Sequence, residues 1–569
     1  MAEFIELHAR SAFSFHRGAS HPEDMIRQAA KLGMSAMALT DRDGVYGSAR
    51  AHHAAQELLR EHRLPFRALV GAEVTLDDES ALPVLMRTQE GYQHLCQLLT
   101  KAKLRGLSEK TARENPHLNA RKQGRVIFSE WEPYAEGMIA LTGDADGFIQ
   151  RALRRGDRKA AHGHLTSLIR TFGAQNVMVT IQRYHRRGEA WLHRQLIDLA
   201  NAHGLLLIAS NSPRAATPQG RRVLDAFTCL LHHVNLDEAG TLLALNAEDY
   251  LNSPQLMAAL FADHPEFLTN TLRVADRIEF TLENLGYQFP QFPTPLGQPA
   301  SSFLREQTYR GAKDRYSQIT PQIRKQLDHE LALIAKLGFC GYFLIVQDIV
   351  HLAREREILV QGRGSAANSA VCYCLGITAV DAIKKKLLFE RFLSEGRNTW
   401  PDIDLDLPSG DRREAIIQAV YEKYAPLGAA MTANVITYRG RSTMREMGKV
   451  LDVPESILNR FSEVWGTHKI QDQHELRARM QEAGLSAQHP RLPTLVHLYQ
   501  AVYSLPRHLG QHSGGMIISD NSLAKIVPLE NATMENRRIV QWDKDDCEDL
   551  GIIKVDLLGL GMLAAMQDT

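Results

Sequence analysis

The chain has 569 residues, too many for one hydrophobic core, and its length predicts roughly three or four domains. Its 44% hydrophobic and 23% charged residues are ordinary for a soluble globular protein. Lys plus Arg and Asp plus Glu number 66 each, so the formal net charge is zero. A generally basic protein is therefore excluded, and any contact with nucleic acid must use local basic patches.

Membrane, secretory and cysteine signals are missing from the sequence. It has no run of about 18 apolar residues, and its first residues are acidic where a signal peptide would be basic and apolar. The six cysteines are scattered without a CxxC pair, which argues against a zinc site, a redox motif or a disulfide framework. The sequence therefore predicts a cytoplasmic protein without a membrane span.

Residues 1 to about 215 alternate short apolar runs with helical patterns, which predicts an α/β domain, with a barrel as one arrangement. Helices are expected at 22–32 and 191–203. The predicted strands include 36–39, 68–70, 138–141, 177–179 and 205–208, and a first strand is expected before His8.

Four polar residues follow predicted strands in this region. They are His8, Asp41, Glu73 and Asp144, all of which are residue types that ligate metals. Functional ligands in barrels lie at the carboxyl ends of strands. One such residue alone would be an ordinary surface side chain, but four at successive strand ends favour a site.

The middle of the chain predicts helices, a domain boundary and a phosphate-binding turn. Residues 220–295 are predicted to be helical and to form a connecting segment. Four prolines in 288–299 mark a domain boundary, and long helices follow it, one of them at 323–337. A short strand at 358–360 precedes a turn containing Arg363, Gly364 and Ser365, and an apolar helix follows. Strand, glycine-rich turn and helix is an arrangement that binds phosphate, although a tight structural turn is the plain alternative.

An acidic strand is predicted at 400–407. Acidic and apolar residues alternate, so Asp402, Asp404 and Asp406 share one face and the apolar residues between them share the other. Carboxylates ~7 Å apart along the backbone can converge on divalent cations. A solvated edge strand is the alternative, but Asp is depleted in strands and like charges on one face repel.

Basic residues gather after the next predicted helix (412–424) and strand (435–438). Arg439 and Arg441 follow the strand, and Ser442 or Thr443 is expected to cap a helix that carries Arg445 and Lys449 on one face. Such residues suit a nucleic-acid backbone, and ordinary solvated charge is an equal alternative. Residues 443–500 read as a helical insert.

The last motif is an apolar strand at 551–560. It contains Lys554 and Asp556, separated by one residue. Alone this pattern is weakly specific, but beside the acidic strand it offers a third carboxylate and a cation.

The N-terminal region resembles the polymerase-and-histidinol-phosphatase (PHP) domain of bacterial C-family DNA polymerases. The matching words are LHARSAFSF (7–15), LTDRDGVYG (39–47) and GAE (71–73). The family's metal-binding version has His in place of both Arg10 and Arg42. The chain also departs from that version near Tyr184, Ser212 and Arg214.

The resemblance therefore implies a depleted metal site. His8, Asp41 and Glu73 remain, and Asp144 is a possible substitute ligand. A guanidinium cannot ligate a cation. We expect the two arginines to act as counter-charges to Asp41 and Glu73, and the domain to be a scaffold that no longer hydrolyses phosphoesters.

The second half resembles the palm and thumb of the DNA polymerase III alpha class. The shared words are QGRGSAANSAVCYCLGIT, PDIDLDL, PRHLGQHSGGMIIS, VQWDKDD and KVDLLGLGML. Within the class, the sequences at 13–25 and 361–378 are similar to those of the error-prone alpha paralogue used in damage-induced mutagenesis. The implied fold is an α/β multidomain chain: a PHP-type (β/α) barrel, then a polymerase-beta-like mixed α/β palm with a helical thumb insert. The predicted divisions are PHP domain 1–220, helical connector 221–295, palm 296–432, thumb 433–503 and second palm part 504–569.

The resemblance also implies roles for single residues. Asp404, Asp406 and Asp556 would bind two Mg²⁺ ions, and Asp402 would be structural. The residues implied in binding the triphosphate are Arg363, Gly364, Ser365 and Lys554. The basic residues proposed to contact DNA are Arg439, Arg441 and Arg445.

The implied substrates are primer–template DNA and dNTPs. Relatives continue into fingers, DNA-binding and clamp-binding parts, so a sliding clamp and mutagenesis-cassette proteins are expected partners through sequence absent here. Weak or no primer extension is expected from these 569 residues alone. Two rival functions are a metal phosphoesterase in the PHP domain and a non-catalytic scaffold that binds DNA or partners.

Overall fold

The computed structural model describes residues 3–105, 124–394, 400–464, 470, 472–520, 522–534 and 536–569. The chain forms two compact units. The first contains residues 1–285 and 435–510, and the second contains residues 286–434 and 511–569. The five-part division expected from the sequence stays a prediction.

The strands form two seven-stranded sheets. Those of the first sheet are β1 (Glu6–Ala9), β2 (Ala36–Leu39), β3 (Arg67–Thr75), β4 (Ala81–Met86), β5 (Met138–Leu141), β6 (Val177–Ile181) and β7 (Leu206–Ala209). Those of the second sheet are β8 (Gln361–Arg363), β9 (Asp404–Pro408), β10 (Ala429–Thr437), β11 (Pro506–Ile518), β12 (Leu529–Asn531), β13 (Arg538–Asp543) and β14 (Lys554–Leu560).

The described helices follow in chain order. In the first 285 residues they are α1 (Pro22–Lys31), α2 (Ser48–His62), α3 (Gln89–Lys103), α4 (Phe148–Arg154), α5 (Arg158–Phe172), α6 (Glu189–His203), α7 (Arg221–His232), α8 (Pro254–Leu260) and α9 (Glu266–Asp276). The rest are α10 (Ala300–Arg315), α11 (Pro321–Lys336), α12 (Cys340–Glu355), α13 (Ala370–Cys374), α14 (Asp411–Lys423), α15 (Gly440–Val450), α16 (Glu455–Val464), α17 (Gln473–Glu482), α18 (Leu492–Val502), α19 (Lys544–Asp549) and α20 (Gly561–Asp568).

The first sheet confirms the predicted α/β domain and adds a strand. Its order runs from β1 to β7, and β4 is antiparallel to both β3 and β5, while the other neighbouring strands are parallel. Strand β4 was not predicted, because all six of its residues are buried, so that it lacks polar alternation, and because it contains Pro83. Helix α9 packs on β7, and its Val274 and Ala275 join the core of the sheet.

The helical segment 435–510 shares a core with the N-terminal region in the first unit. Met444 on α15 and Leu495 on α18 belong to the same buried cluster as Phe227 on α7. The Tyr438 hydroxyl lies 2.9 Å from His16 Nε2 and donates to Glu446 Oε2 at 2.7 Å. The segment read as a thumb therefore folds together with the PHP-like part of the chain.

Three local predictions are wrong in the second half. The strand expected at 358–360 lies instead at β8, where Gln361 to Arg363 find partners on β9. Helix α15 begins at Gly440, so Ser442 is its third residue, and its hydroxyl bonds the Arg439 N–H from inside the helix. The acidic strand begins only at Asp404, where the ladders to both neighbours begin, so Asp402 precedes it.

In the part of the chain that the structure describes, no single helix is long and apolar enough to cross a membrane. Helices α11 and α12 together are long and apolar enough by length and composition only, and they form a pair bent by 113°.

Candidate functional site

The register of the second sheet aligns the motif residues in one row across four neighbouring strands. Asp404 on β9 pairs with Arg363 on antiparallel β8 and with Asp556 on parallel β14. Gly515 on β11 pairs with Asp556. Residues far apart in sequence therefore become direct cross-strand neighbours, whose side chains lie close enough to interact.

Three carboxylates form the tightest acidic group in this sheet. Asp402, Asp404 and Asp556 each offer an oxygen within 4.8 Å of the others. Asp406 is outside that group, and its Oδ1 lies 3.2 Å from Arg363 Nε. The predicted trio of Asp404, Asp406 and Asp556 is therefore not the trio that the structure brings together. Asp402 joins instead because it lies before the strand, where the pleat does not fix its direction.

Lys554 lies among these carboxylates. Its ammonium donates to Asp402 Oδ1 at 2.9 Å and to Asp556 Oδ2 at 2.5 Å. Partial burial would lower the pKa of Lys554, but the two aspartates raise it above its ordinary value. The lysine is therefore a fixed positive charge in the group.

The acidic group is electrostatically crowded. Burial and the neighbouring carboxylates of Asp402 and Asp556 raise the pKa of Asp404 to about 6, against the opposing effect of Lys554 and Arg363. Burial also raises the pKa of Asp406, with Arg363 opposing it. Crowding of this kind is relieved by a cation, because an opposite charge favours the ionised form.

The donor set fits a divalent metal ion. Oδ1 of Asp556 and Oδ1 of Asp406 are buried and accept no hydrogen bond from the described residues, although Oδ1 of Asp406 lies 3.2 Å from Arg363 Nε. A buried oxygen without a hydrogen-bond donor is costly unless something else coordinates it. Mg²⁺ prefers carboxylate oxygens and keeps positions open for water and phosphates. Asp404 and Asp556, with Asp402 or Asp406, are the residues that would hold it.

The glycine-rich turn follows β8 and reaches this group. Gly364 adopts φ +71°, in the left-handed region that favours glycine, and begins a 3-10 helix at Gly364–Asn368. A Cβ on Gly364 would lie 3.9 Å from Asp404 Oδ2. The side chain of Arg363 is half exposed, with its Nε 3.6 Å from that same oxygen. The turn thus places a guanidinium and a closely approaching backbone at the edge of the acidic group.

A buried glutamate fixes the helix after this turn. Glu330 on α11 is fully buried and accepts hydrogen bonds from the Ser369 hydroxyl (2.7 Å) and from the N–H groups of Ala370 and Val371 (3.0 Å each). It therefore satisfies amides at the start of α13 that have no partner within the helix. Glu330 was not predicted as a functional residue, because an isolated Glu in an amphipathic helix carries no signal.

Two further residues at the row were also missed. His512 Nδ1 accepts hydrogen bonds from Gly514 N (3.2 Å) and Gly515 N (2.7 Å). A Cβ on Gly515 would lie 2.6 Å from Thr432 Oγ1 and 3.1 Å from Asp556 Oδ1. The HSGG segment was a usable signal, since consecutive glycines in an apolar strand mark a close approach.

We expect Gly515→Ala to disturb Asp556 and to reduce activity at this site by ~10- to 100-fold, because misplacement of a reacting group by about 1 Å has that effect. Gly561→Ala is the matched control, since a Cβ there meets nothing within 4 Å. The measurement is single-nucleotide incorporation by the full-length gene product carrying each substitution, with melting temperature to verify folding. Equal activity of both variants would show that Gly515 is not needed for close approach.

The predicted DNA-contacting arginines lie on or beside α15 in the first unit. Arg439, Arg441, Arg445 and Lys449 are all exposed, and the last three recur on one face of the helix. Arg439 also lies over the Tyr503 ring, with its Cζ 5.7 Å from the centroid. An exposed basic face suits a phosphate backbone, and contact with DNA stays a prediction.

The N-terminal strand ends hold a second group of possible ligands. His8, Glu73 and Asp144 each offer an atom within 4.8 Å of the others. Arg10, itself buried, lies among them, donating to Asp144 Oδ2 at 2.5 Å and to Glu73 Oε1 at 3.3 Å. His8 Nε2 lies 2.9 Å from Glu73 Oε1, and an ionised carboxylate only accepts, so that nitrogen carries the proton. These residues do not fit a cation.

The arginines explain the charge state of this group. Burial would raise the pKa of Glu73, but Arg10 and Arg42 hold it well below its ordinary value. Arg42 donates to Glu73 Oε2 at 2.8 Å. Burial would likewise raise the pKa of Asp144, and Arg10 lowers it. A guanidinium thus supplies the positive charge to both carboxylates.

Asp41 does not follow the expectation that an arginine would be its counter-charge. Its carboxylate instead accepts hydrogen bonds from the hydroxyls of Ser11 and Ser14 and from the Ser11 N–H, at 2.8–2.9 Å. Burial raises its pKa, and these bonds oppose that effect. Neutral donors can satisfy a buried carboxylate, so a nearby arginine in sequence was insufficient evidence of a pair.

The chain matches two protein-domain families and is similar to curated bacterial proteins. It matches the family described as the bacterial DNA polymerase III alpha NTPase domain over residues 302–559, and the PHP domain over residues 6–184. It is 40% identical over 575 residues to an error-prone DNA polymerase of Mycolicibacterium paratuberculosis, covering 99% of this chain and 50% of that protein. It is 38% identical over 571 residues to one of Pseudomonas savastanoi pv. phaseolicola (100% and 52% covered) and over 577 residues to one of Pseudomonas aeruginosa (100% and 51%).

The chain spans about half the length of the curated relatives it matches. Along the chain, the PHP match precedes the polymerase match. The two sets of sequence motifs occur in the same order. The chain therefore carries a PHP domain ahead of a bacterial DNA polymerase III alpha NTPase domain.

Proposed function

We propose that this chain contributes the nucleotidyl-transfer centre of a template-dependent, error-prone DNA polymerase. The observation that carries the proposal is the row of Arg363, Asp404 and Asp556 on three adjacent strands. Carboxylates for cations and basic groups for a triphosphate lie together there. The substrates are primer–template DNA and dNTPs, and the names of the relatives support the error-prone class.

The chain's own residues suggest how the reaction proceeds. Asp404 and Asp556 would hold the divalent cations, which we propose to be Mg²⁺, and Asp402 or Asp406 would complete the ligand set. Such cations would lower the pKa of a primer hydroxyl and stabilise the charge on the phosphates. Arg363 and Lys554 orient the triphosphate and neutralise charge that develops as pyrophosphate leaves.

Lys554 also offsets repulsion within the acidic group. It bonds both Asp402 and Asp556. Its ammonium would serve a phosphate if cations took over these carboxylates.

We propose a structural role for the PHP part. The guanidinium of Arg10 occupies the space between Glu73 and Asp144, which opposes metal-dependent hydrolysis there. A non-catalytic scaffold for the whole chain is less well supported, because the second sheet holds a cation-compatible carboxylate group. A sliding clamp, mutagenesis-cassette proteins and the cytoplasm remain the expected partners and location.

Primer extension by the full-length gene product tests the proposal. We expect incorporation that follows the template, stops on addition of a chelator and resumes with excess Mg²⁺. Incorporation without a template, or no incorporation under any divalent cation, would contradict it. Residues 1–220 assayed separately with metal ions should release no phosphate from phosphoesters.

A further inference from the structure

We propose that a lysine-rich turn in the second unit binds the unpaired template strand of DNA ahead of the primer. The turn comprises residues 381–388 and carries Lys384, Lys385 and Lys386 in succession, all of them exposed. It follows helix α13 and precedes the acidic strand β9. The inference rests on the proposed function, because it names a surface for a substrate of the same centre.

The three lysines have no counter-charge in contact. None of their ammonium groups makes an ion pair or a hydrogen bond with a residue in the described ranges. The neighbouring acidic residues have other partners: Asp381 accepts from amides of the turn, and Glu390 Oε1 lies 3.3 Å from His329 Nε2. Consecutive Cα atoms are ~3.8 Å apart, so the three like charges repel one another within a short span. An anionic strand would relieve this repulsion.

The backbone of the turn holds these lysines in a defined arrangement. Oδ1 of Asp381 accepts hydrogen bonds from two N–H groups of the turn, at 3.0 Å each. The N–H of Leu387 donates to the carbonyl of Ala382 at 2.9 Å and closes the turn. Between them, Lys386 has a φ of +53°, in the left-handed region that a lysine rarely adopts. A strained backbone that persists in an exposed turn is typical of a segment with a function.

The lysine-rich turn leads directly to the phosphate-binding turn of the site. The 3-10 helix Phe389–Arg391 continues from it and packs against the 3-10 helix Gly364–Asn368. Phe389 is buried in this region, whereas Arg391 is exposed and adds a further cation. A DNA strand that enters the acidic group therefore has the lysine-rich turn within its reach.

The two residues after the lysines favour a single strand over a duplex. Leu387 and Leu388 are exposed, and Leu388 exposes 64% of its surface. A duplex presents mainly phosphates and sugars to a protein surface, so it would leave these leucines in water. An unpaired strand also presents the apolar faces of its bases, which can contact the leucines while the lysines bind phosphates. The expected occupant is therefore the unpaired template and not the paired primer.

Fluorescence anisotropy of primer–template DNA, with the full-length gene product and without dNTP, tests the proposal. One DNA has a single unpaired template nucleotide, and the other has about 12, the length scale of single-strand binding sites. We expect the triple variant Lys384→Gln/Lys385→Gln/Lys386→Gln to bind the long-overhang DNA about tenfold or more weakly, and the short-overhang DNA as wild type does. The slope of log affinity against log salt should become shallower by about 2 for the long overhang, since each lost single-strand phosphate contact removes ~0.7.

Two further variants separate the turn from general charge. The triple variant Lys31→Gln/Lys159→Gln/Lys525→Gln removes the same charge from exposed positions outside the turn and should bind both DNAs as wild type does. Leu388→Asn should weaken binding of the long-overhang DNA about three- to tenfold without changing the salt slope, because it removes an apolar contact and no charge. Circular dichroism verifies that each variant is folded.

The inference fails if the turn variant binds the long-overhang DNA as wild type does. It also fails if that variant loses equal affinity for both DNAs, which would assign the lysines to the duplex, or if the charge-matched control loses as much affinity. A polyglutamate peptide that binds wild type but not the turn variant, with DNA affinity unchanged, would instead identify an acidic protein as the partner. Because binding is measured without dNTP, failure here is distinct from failure of primer extension, which tests the proposed function.

Discussion

Asp404→Asn is expected to reduce nucleotide incorporation by the full-length gene product about a thousandfold or more. The carboxylate lies at the centre of the row, and loss of one stabilising group in a preorganised site has effects of at least about 10² to 10³. Asparagine keeps the shape but removes the charge that attracts cations. The measurement is kcat for single-nucleotide incorporation at saturating Mg²⁺, on a primer–template of defined sequence.

The matched control for this prediction is Asp520→Asn. Asp520 is an exposed aspartate in the same compact unit, and it is outside the acidic group. Asp402→Asn and Asp406→Asn measured beside it decide which of the two completes the ligand set. Near wild-type incorporation by Asp404→Asn would show that the reacting cations are held elsewhere.

Arg10→Leu is expected to lower the free energy of unfolding of the first unit by ~3–5 kcal/mol, the usual effect of removing one partner of a buried charge pair. Glu73 and Asp144 would be left as buried carboxylates without the guanidinium that both contact. The change is measured by urea denaturation followed by circular dichroism.

An exposed arginine provides the comparison for Arg10. Arg27→Leu breaks contacts with Asp24 and Glu57, but its side chain is 52% exposed, so a loss of only ~0–1 kcal/mol is expected. The double variant Arg10→Leu with Asp144→Asn should recover part of the stability, because one unpaired charge is removed. Equal unfolding midpoints for Arg10→Leu and Arg27→Leu would mean that the buried network is not a structural counterpart of a metal.

The sequence predicted the strands and the chemistry of the site to different extents. Periodicity located β2 and β5 at their observed bounds, because short apolar runs between turn signals are local features. It failed for β4, whose burial on both faces removes the alternation on which the prediction rests. Pairing partners are non-local, so the neighbours of β9 could not be derived from the pattern alone.

The ligand set shows the same limit at the scale of single side chains. Asp404 and Asp556 were predicted on one site, and the register makes them direct neighbours. The choice between Asp402 and Asp406 depended on where the strand begins, and strand ends are the least reliable part of any sequence-based assignment. The serine partners of Asp41 were unpredictable for a related reason, since a hydroxyl in a loop carries no visible sign of its acceptor.

The row of Arg363, Asp404 and Asp556 has a consequence for protein synthesis. A ribosome releases β8 and β9 well before β14, whose aspartate follows Asp406 by 150 residues in the chain. β9 therefore lacks one of its two neighbouring strands until residue 560 has left the exit tunnel. A truncated or stalled product would have the acidic strand without a working centre. The group of Asp402, Asp404 and Asp556 is therefore complete only after β14 has been synthesised.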